Sequence, residues 1–176
     1  MKYPDVPQVD KSTMAGAVYG IQRRLALGDY DGAIQSAAKF WGVKGLSQPA
    51  YYEPNLDYSG DTKYDADTGA LTMRVGPPGA ANARVLLSTV YHEGVHVRQA
   101  QTGNWSSKSS LFGGDVNELE AYNSEMALAK QLNLSRSDIQ QVIDYRAIHW
   151  QRVQGTNYES RVISGNYKLM RGDFIR

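Results

Sequence analysis

Three of the 176 residues are histidine, and two of them, His92 and His96, stand four apart with Glu93 directly after the first. On a helix, residues at that spacing lie one above the other on the same face. Both imidazoles can then reach one cation, and zinc accepts such nitrogens at about 2.0–2.1 Å. Glu93 falls beside the metal, where a carboxylate can take a proton from a metal-bound water. Zinc lowers the pKa of that water towards about 7. The chemistry this trio could do is hydrolysis by a metal-activated water.

Two histidines leave a zinc site one protein ligand short. The chain has no cysteine, so the third ligand is a histidine or a carboxylate. The longer motif that would place Gly at 99 and His at 102 is absent, because Gln99 and Thr102 stand there. The rivals are His149 and the acids Glu118, Glu120 and Glu125. At about 100° per residue, Glu118 and Glu125 fall inside the apolar face of the helix predicted after Asp115, whereas Glu120 points away towards solvent. A carboxylate on a buried face wants a cation, which favours Glu118 as ligand and Glu125 as a supporting acid. A second reading stays open, because Asp115 and Glu118 also have the spacing of a capping box.

The elements that must position these residues can be read from the periodicity. Residues 12–28 read as an amphipathic helix capped by Ser12 or Thr13, and Asp29 caps a second short one. Asp67, Thr68 and Gly69 form a turn signal, ahead of an alternating strand with Leu71, Met73 and Val75 on one face. Residues 63–65 and 70–75 are predicted to pair as a hairpin. The Asp-rich turn resembles a calcium loop only faintly, since Gly76 stands where the closing acid belongs. After a break at 76–79, residues 82–101 form the helix that carries the paired histidines. Gly94 in its middle costs about 1 kcal/mol relative to Ala, so another element or a substrate must come close there. A Gly/Ser-rich loop over 102–114 follows, then a helix capped by Asp115 and another capped by Ser135 or Ser137. The predicted fold is α+β, a single and mainly helical domain over 1–176 with a small sheet preceding the histidine helix.

His92-Glu93-x-x-His96 on one helix, with Glu118 from the start of the next, resembles the gluzincin metallopeptidases. The resemblance implies a zincin-like fold, a Zn²⁺ cofactor, Glu93 as catalytic base and a protein or peptide substrate. It also implies that an edge strand binds the substrate in extended form, and that strand would be Ala70, Leu71, Thr72, Met73 and Arg74. A relative often carries an Asp four residues after the glutamate to orient a histidine. Tyr122 stands there in this chain, and Tyr122 or Asn123 could serve instead. Tyr122, His149, Tyr158 and Tyr167 are the candidates for an oxyanion donor. The phrases DTGALTMRVG, LLSTVYHEGVHVRQ and NELEAYNSE, within residues 67–130, are similar to the metallopeptidase toxin domains of bacterial polymorphic toxins and secretion-system effectors. That similarity implies a cognate immunity protein as a further partner.

Composition bounds the rest. A net charge of +1 gives no basic surplus for nucleic acid. No apolar run reaches the roughly 18 residues a membrane span needs, and the first residues lack the apolar core of a Sec signal peptide. The protein is therefore expected either to stay where it is made or to be carried out by a non-Sec route, alone or as a piece of a longer chain, and the similarity to secretion-system effectors implies delivery. The rival functions are a metal-stabilised protein-binding module, with the Tyr/Asp-rich stretch 51–67 as its contact, and a metal-dependent hydrolase of cell-wall amides.

Overall fold

The computed structural model describes residues 4–106 and 112–169. Its elements are α1 (Lys11–Ala26), α2 (Tyr30–Phe40), β1 (Tyr51–Tyr52), β2 (Gly60–Tyr64), β3 (Leu71–Val75), α3 (Ala83–Gln101), α4 (Gly113–Leu132), α5 (Arg136–Val153) and α6 (Glu159–Ile163). Helices dominate and one small sheet precedes α3, as an α+β fold requires. Part of the loop expected over 102–114, residues 107–111, lies outside the described residues.

Helix α3 is walled in on most sides. The Asn82 side chain accepts the Arg84 and Val85 amides and starts it. Leu86, Leu87, Val90 and Val95 are at most 1% exposed. They meet Ile21 of α1, Ile34 of α2, Met73 and Val75 of β3, and Leu128 and Leu132 of α4 in one core. The Trp41 indole donates to the Leu87 carbonyl at 2.8 Å and pins the end of α2 to α3. Gly94 faces the Val43 side chain, which a Cβ would meet at 3.1 Å. The close approach inferred there is therefore made by another element of the fold.

The sheet has the order β1-β3-β2. The predicted hairpin is present and longer than expected, pairing Gly60–Tyr64 with Leu71–Val75 antiparallel, Thr62 opposite Met73. Strand β1 adds in parallel, with Tyr52 opposite Val75. Two residues carry too little periodicity for β1 to be read from sequence. Its presence corrects one expectation: β3 is the central strand, so Ala70, Leu71, Thr72, Met73 and Arg74 cannot offer a free edge to a substrate. The edge next to α3 belongs to β2.

Two caps differ from expectation. Asp10, not Ser12 or Thr13, caps α1: its carboxylate accepts the Ser12 and Thr13 amides, and both hydroxyls turn back to it. Helix α4 begins at Gly113, after Phe112 in the left-handed region, so Asp115 sits inside the first turn instead of capping it. Ser135 does cap α5, in a capping box with Asp138. The tail, which has no clear periodicity, folds back as a second core in which Tyr158, Val162, Tyr167 and Leu169 pack on Val116 and Leu119 of α4 and Val153 of α5.

The turn between β3 and α3 is tight. A Cβ on Gly79 would fall inside the van der Waals shell of the Ser59 carbonyl oxygen, just before β2. We expect Gly79→Ala to destabilise the fold by about 1–3 kcal/mol, read by urea denaturation, because backbone and not a flexible side chain must move.

Candidate metal centre

His92 and His96 lie on the face of α3 that meets α4, and their Nε2 atoms are 3.2 Å apart. Glu118, in the second turn of α4, places Oε2 3.5 Å from each of them. Ligands at 2.0–2.1 Å from a tetrahedral zinc are separated by about 3.3 Å, so the three atoms already have the spacing of three corners of such a site. Among the described residues, His92, His96 and Glu118 form a group able to hold a metal ion.

The hydrogen bonds behind the rings decide which nitrogens are free. His92 Nδ1 is 3.2 Å from Glu125 Oε2, and the other Glu125 oxygen accepts from Ser88 at 2.7 Å. His96 Nδ1 is 2.8 Å from Gln99 Oε1. The Gln99 amide cannot be turned over, because its nitrogen donates to the Asn117 carbonyl at 3.0 Å and to Glu120 at 2.8 Å, both pure acceptors. Each Nδ1 therefore carries a proton, which leaves the two Nε2 atoms, turned towards each other, as the positions for a metal ion or a further proton. Two buried ring nitrogens and a carboxylate converging on one point call for positive charge. The titration of the groups agrees. Burial works against the charged imidazoles, yet Glu118 and Glu125 lift His92 well above the ordinary value, and Glu118 lifts His96 above it. Burial would also raise Glu118, but His96 and His92 outweigh it and hold that carboxyl well below the usual range.

Glu93 leaves α3 towards the sheet. Its Oε2 accepts from the Thr62 hydroxyl of β2 at 2.8 Å. Burial raises its carboxyl, against the pull of His92 and His96, which suits a base that must also release its proton. The strand comes so close that a Cβ on Gly60 would lie 2.8 Å from Glu93 Oε1 and 2.9 Å from Thr89 Cγ2. Residues 58–62, α3, α4 and α5 enclose a cleft of about 430 Å³ over these groups.

The other expected site residues divide. Glu118 is not a cap, because α4 starts too early for that geometry and Asp115 is engaged elsewhere. Asp115 accepts from His149 Nδ1 at 2.8 Å and from Arg152 at 3.2 Å. His149 lines the cleft but is no part of the ligand group. Tyr122 sets its ring edge-on to His92, centroids 4.5 Å apart, with Tyr145 and His149 stacked beyond it. Burial raises its phenol above the ordinary value, so it stays a protonated donor. Tyr158 and Tyr167 are corrections: both are buried in the second core, and Tyr167 takes the Asn123 amide at 2.7 Å. Asn123 thus does not orient a histidine, and Glu125, expected as a supporting acid, lies behind His92. Glu120 is a further correction, since it turns to Gln99 and not to solvent. Ser88, Gln99, Thr62 and Trp105, whose ring meets His96 edge-on with centroids 5.7 Å apart, were missed, although Ser88 and Gln99 lie one turn from the histidines and helical spacing alone could have raised them. No protein-family profile, curated protein or solved structure matches this chain.

A cation bound only by the folded state stabilises it by about 2.7 kcal/mol at a hundredfold excess over Kd. Thermal denaturation should therefore rise by about 5–11 °C with Zn²⁺, and Glu118→Ala should remove most of that rise.

Proposed function

We propose that this chain is a zinc-dependent metallopeptidase of the zincin type, with His92, His96 and Glu118 as the metal ligands. The observation that carries the proposal is the convergence of two Nε2 atoms and one carboxylate oxygen at zinc spacing, each ring held from behind through Nδ1. Nitrogen donors with a single carboxylate suit zinc better than calcium or magnesium, which prefer oxygen. When bound, zinc supplies an acidified water and polarises the scissile carbonyl.

The chain's own groups supply the rest. Glu93, held in its rotamer by Thr62, takes the proton of the attacking water and passes it to the leaving amine. The outer edge of β2 borders the cleft and receives a peptide as an added extended strand. Tyr122 and His149 line the cleft as the candidate donors for the developing oxyanion, with the His149 ring oriented by Asp115. The resemblance of the phrases within residues 67–130 to toxin domains extends the proposal to a bacterial effector whose protein substrate lies in a target cell and whose producer carries an immunity protein.

The test is cleavage of a peptide library by zinc-loaded protein. Glu93→Gln should lower kcat by about 10²–10⁴-fold with zinc stoichiometry unchanged, and proteolysis retained in that variant would reject the mechanism. Chelator-insensitive partner binding without any cleavage would point to a binding module, and cleavage of cell-wall amides alone would change the substrate class. His149→Leu and Tyr122→Phe, compared in kcat, should show which is the oxyanion donor by a loss of about 10²–10³-fold. Toxicity on expression in one compartment, relieved by Glu93→Gln, would support the effector role.

A further inference from the structure

Glu120 touches none of the three ligands, yet it lies at the end of a hydrogen-bond chain that begins on one of them. The His96 ring gives its Nδ1 proton to Gln99 Oε1 at 2.8 Å, and Gln99 Nε2 gives a proton to Glu120 Oε2 at 2.8 Å. The far oxygen of Glu120 lies 3.7 Å from Arg98. The Gln99 side chain is buried and its amide nitrogen is also bound by the Asn117 carbonyl. All donors in this chain point the same way, outward from the metal position to the carboxylate.

We infer that Gln99 and Glu120 are positioning residues for the metal, acting as an amide-relayed carboxylate behind His96. This inference rests on the metal reading of the site. His92 has a carboxylate directly behind it in Glu125; His96 has one too, but separated from it by a side-chain amide. A hydrogen-bond acceptor behind a ligating imidazole fixes its tautomer and makes it a stronger donor to the metal. Aligned hydrogen bonds polarise one another, so the charge of Glu120 reaches His96 through Gln99. Helix α4 therefore supplies one ligand and the charge behind both of the others. The insertion of an amide follows from the geometry of α3: Gln99 is one turn after His96 on the same helix, and a carboxylate at 99 would face Glu120 at hydrogen-bond distance and be repelled.

The experiment measures Zn²⁺ affinity by competition with a chelating indicator, together with the visible spectrum of the Co²⁺-loaded protein. Folding of each metal-free variant is checked by circular dichroism. Gln99→Leu should weaken zinc binding about 10–100-fold. Glu120→Gln is the sharper variant, because it keeps an acceptor for Gln99 and removes only the charge. We expect it to weaken zinc several-fold and shift the cobalt bands while thermal stability without metal holds. Gln99→Glu alone should weaken zinc binding, and combining it with Glu120→Gln should recover most of the loss, since an amide then again faces a carboxylate. A parent protein that binds one equivalent of zinc, with Glu120→Gln binding as tightly and giving the same cobalt spectrum, overturns the relay and leaves the metal site standing. A parent that binds no zinc overturns both.

Discussion

Two imidazole Nε2 atoms facing each other across 3.2 Å in a buried site, with a carboxylate beside them, draw positive charge between them, as a proton or a metal ion. Each ring could escape by giving its proton to the inner nitrogen, but Glu125 and Gln99 take the proton on the outer side of both. The pair of helices α3 and α4 is built around this constraint. Helix α4 brings Glu118 to the inner nitrogens, Glu125 to one outer nitrogen and, through Gln99, Glu120 to the other.

Helix α4 can serve α3 in this way because its other side is held elsewhere. The tail and α5 close a second core on Val116 and Leu119, and Asn123 is tied between Tyr167 and Arg146. A helix packed on both sides has no single apolar stripe. Its polar residues are thereby divided by direction: Glu118, Glu120 and Glu125 serve α3, while Asp115 and Asn123 serve α5 and the tail. The small sheet plays the matching part on the far side of α3. Gly60 lets β2 approach closely enough for Thr62 to reach Glu93, and the glycine at 79 lets the chain turn from β3 into α3 beneath it.

Several elements were legible in advance for plain reasons. Strong periodicity marked α3 and the alternation of β3, whose Leu71, Met73 and Val75 are indeed the buried set. Local side-chain chemistry marked Asp29 and Ser135 as caps. The helical wheel placed Glu118 and Glu125 on a buried face, because a wheel depends only on helix geometry. It failed for Glu120, because a wheel knows one buried face and α4 has contacts on more than one. Asp115 was misread as a cap because Phe112 enters the helix in a left-handed conformation that residue type does not announce.

Spacing along a single helix is a local property, so the residues alone placed two imidazoles on one helical face with the Glu93 carboxylate beside them. They also narrowed the third ligand to a few named side chains. Packing between distant elements brought Glu118 to the two rings and left His149 and Glu120 outside that group, placed Tyr158 and Tyr167 in a separate core, gave the edge facing the cleft to β2 instead of β3, and aligned the hydrogen bonds behind each ring. Those outcomes depend on which elements pack together, and contacts between residues far apart in the chain leave no periodic trace in either partner.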